Sequence, residues 1–339
     1  MNLLVTGGAG FIGSNYITYM LNKYPQYRII TLDLLTYAGN LRNLRDAEKH
    51  TNFEFIQGNI CDRELVDYLF EKYCLQGVIH FAAESHVDNS IKNPSIFIET
   101  NVNGTFTLLD VARNHWMESS AIVKKEYRNS RFHHVSTDEV YGTLGDKGFF
   151  TEESPYAPNS PYSASKAASD MLVRSYYHTY GMNVVTTNCS NNFGPRQHSE
   201  KLIPTIIRKA MNFEDIPIYG SGMHVRDWLY VEDHCRAIDL VFHEGNKGET
   251  YLIGGHNEKT NLEIANDICG ILDEKLFHKL EKRNMKSFKE LITFVEDRAG
   301  HDFRYAIDSS KIQNELKFEC KDNMKSILNK LINQYLMEG

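Results

Sequence analysis

Apolar positions along this chain fall into short runs rich in β-branched residues, each followed by a longer stretch in which they recur at helical spacing. The runs are Leu3–Thr6, Arg28–Asp33, Phe53–Gln57, Gly77–Ala82, Arg131–Ser136 and Asn183–Cys189. The stretches Phe11–Lys23, Arg63–Tyr73, Pro94–Trp116 and Pro161–Tyr180 read as helices, the last with Ser160 as N-cap and Pro161 at its first position. Such alternation predicts parallel βαβ units wound on both faces of one sheet. Beyond about Ser190 the rhythm breaks into shorter, mixed elements, as expected of a smaller lobe that shapes a substrate pocket. The expected division is a first domain over residues 1–189 and a second over 190–339.

The 339 residues suffice for two domains and a large core without disulfide or metal staples. Hydrophobic residues at 42% and charged residues at 24% are globular values and exclude a disordered or disulfide-dense chain. The 37 Lys plus Arg against 44 Asp plus Glu leave a formal charge of −7, which disfavours a broad basic surface, so nucleic acid is not an expected partner. Cys61, Cys74, Cys189, Cys235, Cys269 and Cys320 are dispersed with no Cys-x-x-Cys pair and read as reduced, packed thiols, with no metal expected. No stretch approaches transmembrane length and the chain opens directly on a strand, so no membrane association is expected and the cytoplasm is the expected compartment.

Gly8-Ala9-Gly10-Phe11-Ile12-Gly13 follows the first run and opens the first helix in the pattern G-x-G-x-x-G. Such glycines allow a tight turn and close approach of backbone to a pyrophosphate, which the helix N-terminus then favours electrostatically. Asp33 ends the second run 20 residues after Gly13, where a carboxylate accepts hydrogen bonds from a ribose 2′-hydroxyl and repels a 2′-phosphate. The expected cofactor is therefore NAD.

Tyr162 and Lys166 are spaced i, i+4 on the Pro161–Tyr180 helix and share a face. A neighbouring ammonium favours the phenolate of a group whose reference pKa is about 10, so the pair can take a proton from a carbinol as hydride leaves for a nicotinamide. Just past Arg131–Ser136 stand Thr137, Asp138 and Glu139, at a strand end where ligands of doubly wound sheets bind. Alcohol oxidation needs one acid–base unit and a hydroxyl anchor such as Thr137. Two further carboxyls suit elimination of water, one taking a carbon-bound proton and the other protonating the leaving hydroxyl; alternatively they cap a turn.

These motifs, with Asp33 to Asn40, Ala83 to Asp88, Asn188 to Pro195, Glu200 to Pro204, Arg226 to His234 and Asp297 to Asp302, resemble the extended short-chain dehydrogenase/reductases. Within them the chain resembles the dTDP-glucose 4,6-dehydratase family, from the first strand to at least Ile312. The resemblance implies a doubly wound parallel Rossmann sheet with a smaller mixed α/β C-terminal substrate lobe, part of 230–255 returning to the first domain. It implies NAD held by Gly7, Gly10, Phe11, Ile12, Gly13, Asp33, Asn59, Ile60, Ala82, Tyr162 and Lys166. The implied substrate is a nucleotide sugar, dTDP-glucose, held by Glu84, Ser85, Thr137, Asn192, Lys201, Leu202, Arg226, Arg298 and His301.

In the implied reaction Tyr162 takes the C4 hydroxyl proton, Lys166 holds Tyr162, and Thr137 bonds the C4 oxygen. Glu139 then removes the C5 proton and Asp138 protonates the leaving C6 hydroxyl, so that hydride return to C6 gives a 4-keto-6-deoxy sugar. The family's dimer, packed through helices 94–116 and 161–180, is also implied. Asn59, Asn89, Ser199, Leu252 and Ala299 depart from the family pattern without removing a catalytic group. The rival activity on such a scaffold, a dehydratase or 4-epimerase acting on another nucleotide sugar such as UDP-glucose, makes no use of the acid pair when it is an epimerase. A cofactor-binding scaffold without catalysis has no need of Thr137, Tyr162 and Lys166 together.

Overall fold

The strands alternate their side chains between two buried faces, and the helices cover both. The computed structural model describes residues 1–297, 300–321 and 323–338. The first half runs β1 (Asn2–Thr6), α1 (Phe11–Lys23), β2 (Arg28–Asp33), β3 (Phe53–Gln57), α2 (Arg63–Tyr73), β4 (Gly77–His80), α3 (Val87–Lys92), α4 (Pro94–Phe97) and α5 (Thr105–Trp116). A small hairpin, β5 (Met117–Ser119) and β6 (Ile122–Val123), precedes β7 (Arg131–Thr137), α6 (Pro161–Tyr180) and β8 (Val184–Cys189). Then follow β9 (Asn191–Phe193), α7 (Leu202–Met211), β10 (Ile216–Tyr219), β11 (Val225–Tyr230), α8 (Val231–Glu244), β12 (Thr250–Ile253) and β13 (Glu258–Thr260). The described chain ends in α9 (Asn261–Glu281), β14 (Ile292–Val295), α10 (Ser310–Leu316) and α11 (Met324–Glu338).

Seven strands form one parallel sheet in the order β12-β8-β7-β4-β1-β2-β3. Leu4, Ile30 and Val78 face α2, α5 and α6, while Leu3, Val5, Ile29 and Ile79 face α1 and α8, all fully buried. Burial on both faces is what parallel sheets require. The C-terminal half adds the three-stranded sheet β13-β11-β9, the pair β10-β14 and a separate core in which α7, α9 and α11 pack around Ile206, Ile268 and Leu328. Among the described residues no helix is long and apolar enough to cross a membrane, and all six cysteines are free.

The stretch expected as one helix over Pro94–Trp116 is interrupted by a π-helical segment, Ile98–Gly104. The wider turn directs Asn101 into the protein, where its Oδ1 accepts from the Glu84 N–H at 2.8 Å and its Nδ2 donates to the Glu84 carbonyl and to Ser165 Oγ. Such insertions recur at functional sites. The α6 helix begins and ends as local chemistry dictates. Ser160 and Ser163 form a reciprocal capping box after which Pro161 starts the helix, and Gly181 closes it at φ +68°.

Asp227 of β11 joins the two halves. It is buried and accepts the N–H groups of Gly255 and Asn257 at 2.7 Å each, fixing the turn that follows β12. Asp227→Ala leaves the buried Gly255 N–H and the half-buried Asn257 N–H without that acceptor, at about 1–3 kcal/mol for the first and less for the second. Urea denaturation should show a loss of at least ~1 kcal/mol; a loss below ~0.5 kcal/mol would mean that water replaces the carboxylate.

Candidate active site

All strands of the main sheet point the same way, so the loops after β1, β4, β7 and β8 converge at one edge. There they enclose a cavity of about 330 Å³. Gly7, Gly10, Phe11, Ile12, Gly13, Asp33, Asn59, Ile60 and Ala82 line one end. Thr137, Asp138, Glu139, Tyr162, Lys166, Glu84, Ser85, Asn192 and Lys201 line the rest. Leu202, the first residue of α7, packs toward the C-terminal core instead. Arg226 and His301 also lie off the cavity lining, and Arg298 lies outside the described residues.

The glycine turn differs in one respect from the G-x-G-x-x-G reading. The left-handed residue is Gly7, at φ +69°, where a Cβ would sit 2.7 Å from the Ala82 nitrogen. Gly8 is required for another reason, since its Cβ would collide with the Thr31 hydroxyl beneath. A Cβ on Gly13 would fall on the Gly7 carbonyl, so the functional spacing is Gly7, Gly10 and Gly13. Gly10 caps α1 without a side chain, which leaves the first-turn N–H groups to an anion. Asp33 takes the Ala9 N–H at 2.9 Å and the Leu35 N–H at 2.8 Å, so it braces the glycine loop while lining the cavity. Burial raises its pKa, and those two bonds oppose the rise. A bare glycine cradle with a carboxylate at the end of β2 fits a dinucleotide.

At the other end, Tyr162 and Lys166 stand on α6 with their side chains buried. Lys166 Nζ donates to the Val135 carbonyl at 2.9 Å. Burial pushes the Tyr162 phenol up, as does the Glu139 charge, while a hydrogen bond with Thr137 acts in the opposite direction. Thr137 also accepts the Glu139 N–H at 3.3 Å and so caps the short helical turn Asp138–Tyr141. The turn's cap is therefore the threonine, and the two carboxyls are left to face the cavity. Asp138 is buried, and burial together with Glu139 and Asp227 raises its pKa well above its ordinary value, against the pull of Arg226. Burial therefore favours its protonated form more than that of Glu139, which is only half-buried.

The substrate-side residues are held by partners that spacing does not reveal. Glu84 is fixed through its backbone by Asn101, and Asn192 Oδ1 contacts buried His234 Nδ1 at 2.8 Å. Tyr37 hydrogen-bonds Ser85 and meets His198 edge-on with ring centroids 5.8 Å apart. Arg226 lies over the Tyr305 ring at 4.4 Å and donates to the Asp302 and Val225 carbonyls. His301 is 2.7 Å from Asp297 and stacks on His224 with centroids 3.7 Å apart. Tyr37, Asn101, Cys189, His198 and His234 were not singled out from the sequence. Tyr37, Cys189 and His234 sit inside quoted motifs, and no periodicity marks Asn101 or His198.

The family profile described as GDP-mannose 4,6 dehydratase matches residues 4–331. The dTDP-glucose 4,6-dehydratase of Salmonella typhimurium is 48% identical over 345 residues, covering 99% of this chain and 93% of that protein. The Bacillus anthracis dTDP-glucose 4,6-dehydratase structure, solved in complex with NAD, superposes with a TM-score of 0.85 at 44% identity, covering 99% of this chain and 97% of the other. A Streptomyces venezuelae dTDP-glucose 4,6-dehydratase with NAD and TYD bound gives 0.87 at 42% identity and the same coverages. With the glycine cradle, the Tyr162–Lys166 pair and the Asp138–Glu139 pair opening on one cavity, the chain belongs to the dTDP-glucose 4,6-dehydratase family of extended short-chain dehydrogenase/reductases.

Proposed function

We propose that Tyr162, Thr137, Lys166, Asp138 and Glu139 carry out the reaction of a dTDP-glucose 4,6-dehydratase, an NAD-dependent hydro-lyase that forms dTDP-4-keto-6-deoxyglucose. The observation that carries this reading is the acid pair, which stands in the same cavity as the oxidising Tyr162 and is surplus to plain redox chemistry. The cofactor is NAD, for which Gly7, Gly10, Gly13 and Asp33 provide the phosphate and ribose contacts. When bound there, NAD takes hydride from C4, returns it to C6, and brings a nicotinamide positive charge that favours the Tyr162 phenolate.

Tyr162 accepts the C4 hydroxyl proton while Thr137 hydrogen-bonds the C4 oxygen and Lys166 holds the cationic side of the site. The C4 ketone acidifies the C5 hydrogen, which Glu139, the more exposed acid, removes. Asp138, whose protonated form burial beside Glu139 favours, delivers its proton to the departing C6 hydroxyl. Residues 1–189 with part of 230–255 form the cofactor lobe in this reading, and the remainder forms the sugar-nucleotide lobe.

Two further expectations concern the substrate and the assembly. A purified sample given dTDP-glucose should yield a product lighter by one water, with a hydrogen label moved from C4 to C6. Phe106 of α5, Ile98 of the π turn and Met171 of α6 are 45–50% exposed, an apolar face suited to a second copy of the chain through helices 94–116 and 161–180. Sedimentation should report a dimer that Phe106→Asp converts toward monomer; a monomeric parent protein rejects this assembly.

Tyr162→Phe should keep its fold and bound cofactor yet lose roughly 10²–10⁴-fold in turnover. Near-parental turnover would reject Tyr162 as the base. Glu139→Gln should still remove a C4 label from dTDP-glucose in a single turnover while losing water at least ~10²-fold more slowly than the parent. Dehydration at the parental rate would assign C5 deprotonation to another group.

A further inference from the structure

Behind the cavity, one turn beyond Lys166 on α6, lies a second ionisable side chain that the reaction does not use. Asp170 is 4% exposed. Its Oδ2 accepts from Ser136 Oγ at 3.0 Å, Tyr156 OH at 2.9 Å and Asn188 Nδ2 at 3.1 Å, and His134 Nε2 lies 3.1 Å from its Oδ1. The same Asn188 amide donates to the Thr137 carbonyl at 3.0 Å. Asp170 thus ties α6, which carries Tyr162 and Lys166, to the end of β7, which carries Thr137 and the acid pair.

Charge balance shows what this carboxylate answers. Burial holds His134 down at about 4 and His80 well below its usual value, so both imidazoles are neutral near pH 7. Burial likewise pushes the phenols of Tyr141 and Tyr156 up, which keeps them protonated, and Ser136 and Asn188 carry no charge. Lys166 is the cation whose field Asp170 meets. Burial lowers the Lys166 pKa and Asp170 opposes it from α6, while the Cys189 thiol on β8, itself pushed up to about 12, stays neutral. From β4 and β7, His80 and His134 also face this ammonium, and Asp138 and Glu139 face Tyr162. A buried ammonium without a countercharge sheds its proton.

We propose that Asp170 is the positioning residue of the site, the fixed countercharge that keeps Lys166 cationic and holds α6 in register with the Thr137 turn. The proposal rests on the reading of Tyr162 and Lys166 as the acid–base pair. As pH rises, that pair loses one proton. With Asp170 in place more of that one-proton form is a Tyr162 phenolate beside a cationic Lys166, which is the base; without it the proton leaves Lys166 at lower pH and the balance moves to a neutral pair that cannot accept the C4 proton.

The test is the pH profile of C4 oxidation in the parent holoenzyme and in Asp170→Asn. The variant should lose about tenfold or more of the plateau rate, and its acid limb should move to lower pH by about one unit. An acid limb at the parental position overturns the proposal whatever the rate, because a purely structural defect lowers the rate without moving the limb. If Asp170→Asn does not fold, Lys166→Met/Asp170→Asn decides, since removing both charges abolishes the uncompensated ammonium. The double variant should then fold and melt above the single one; a double variant no more stable than Asp170→Asn overturns the proposal. Melting needs no turnover, so a failed countercharge is distinguishable from a wrong base, which Tyr162→Phe tests separately.

Discussion

Parallel pairing forces all seven strands of the main sheet to end at the same edge, and the rest of the molecule follows from that constraint. Helices must return the chain across the faces, so both faces are buried and the strands become apolar throughout. Polar and glycine residues are then concentrated where the strands stop. The order β3-β2-β1-β4-β7-β8 places the reversal of strand order between β1 and β4, which is where the glycine turn and the Ala82–His86 loop face each other. The cavity is the space that this geometry leaves open.

Within that space, charge is arranged by burial more than by contact with solvent. Burial beside a second carboxyl favours the protonated form of Asp138, and Glu139 next to it is more open to water. In the proposed reaction these two adjacent residues differ in role, one a donor and one an acceptor, for reasons of environment. The Lys166 ammonium has the same difficulty with opposite sign. Asp170 and its ring of neutral donors meet it from the protein side.

Much of the architecture was legible because its causes are local. Phe11–Lys23, Arg63–Tyr73 and Pro161–Tyr180 have the boundaries expected of them, set by Gly10, Asp62 and Ser160 at their starts and by left-handed Cys74 and Gly181 after the last two. The Pro94–Trp116 helix was not legible in detail. Its π turn exists because Asn101 must reach the Glu84 backbone 17 residues away, an interaction without any periodic signature. Gly8 and Gly7 were likewise interchangeable as letters; only the positions of Thr31 and Ala82 separate a packing glycine from a turning one.

The sequence by itself determined the alternation of strands and helices, the glycine cradle with its acid at the end of β2, and the residues able to oxidise an alcohol and eliminate water. These depend on residue type, short-range spacing and caps, which the chain carries wherever it folds. The tertiary structure decided which carboxyl burial favours in its protonated form, that Leu202, Arg226 and His301 stand off the cavity, and that Asp170 lies behind Lys166 among neutral partners. Desolvation and through-space charge depend on what surrounds a side chain in three dimensions, and those neighbours come from β4, β7, β8 and α6, far apart along the chain.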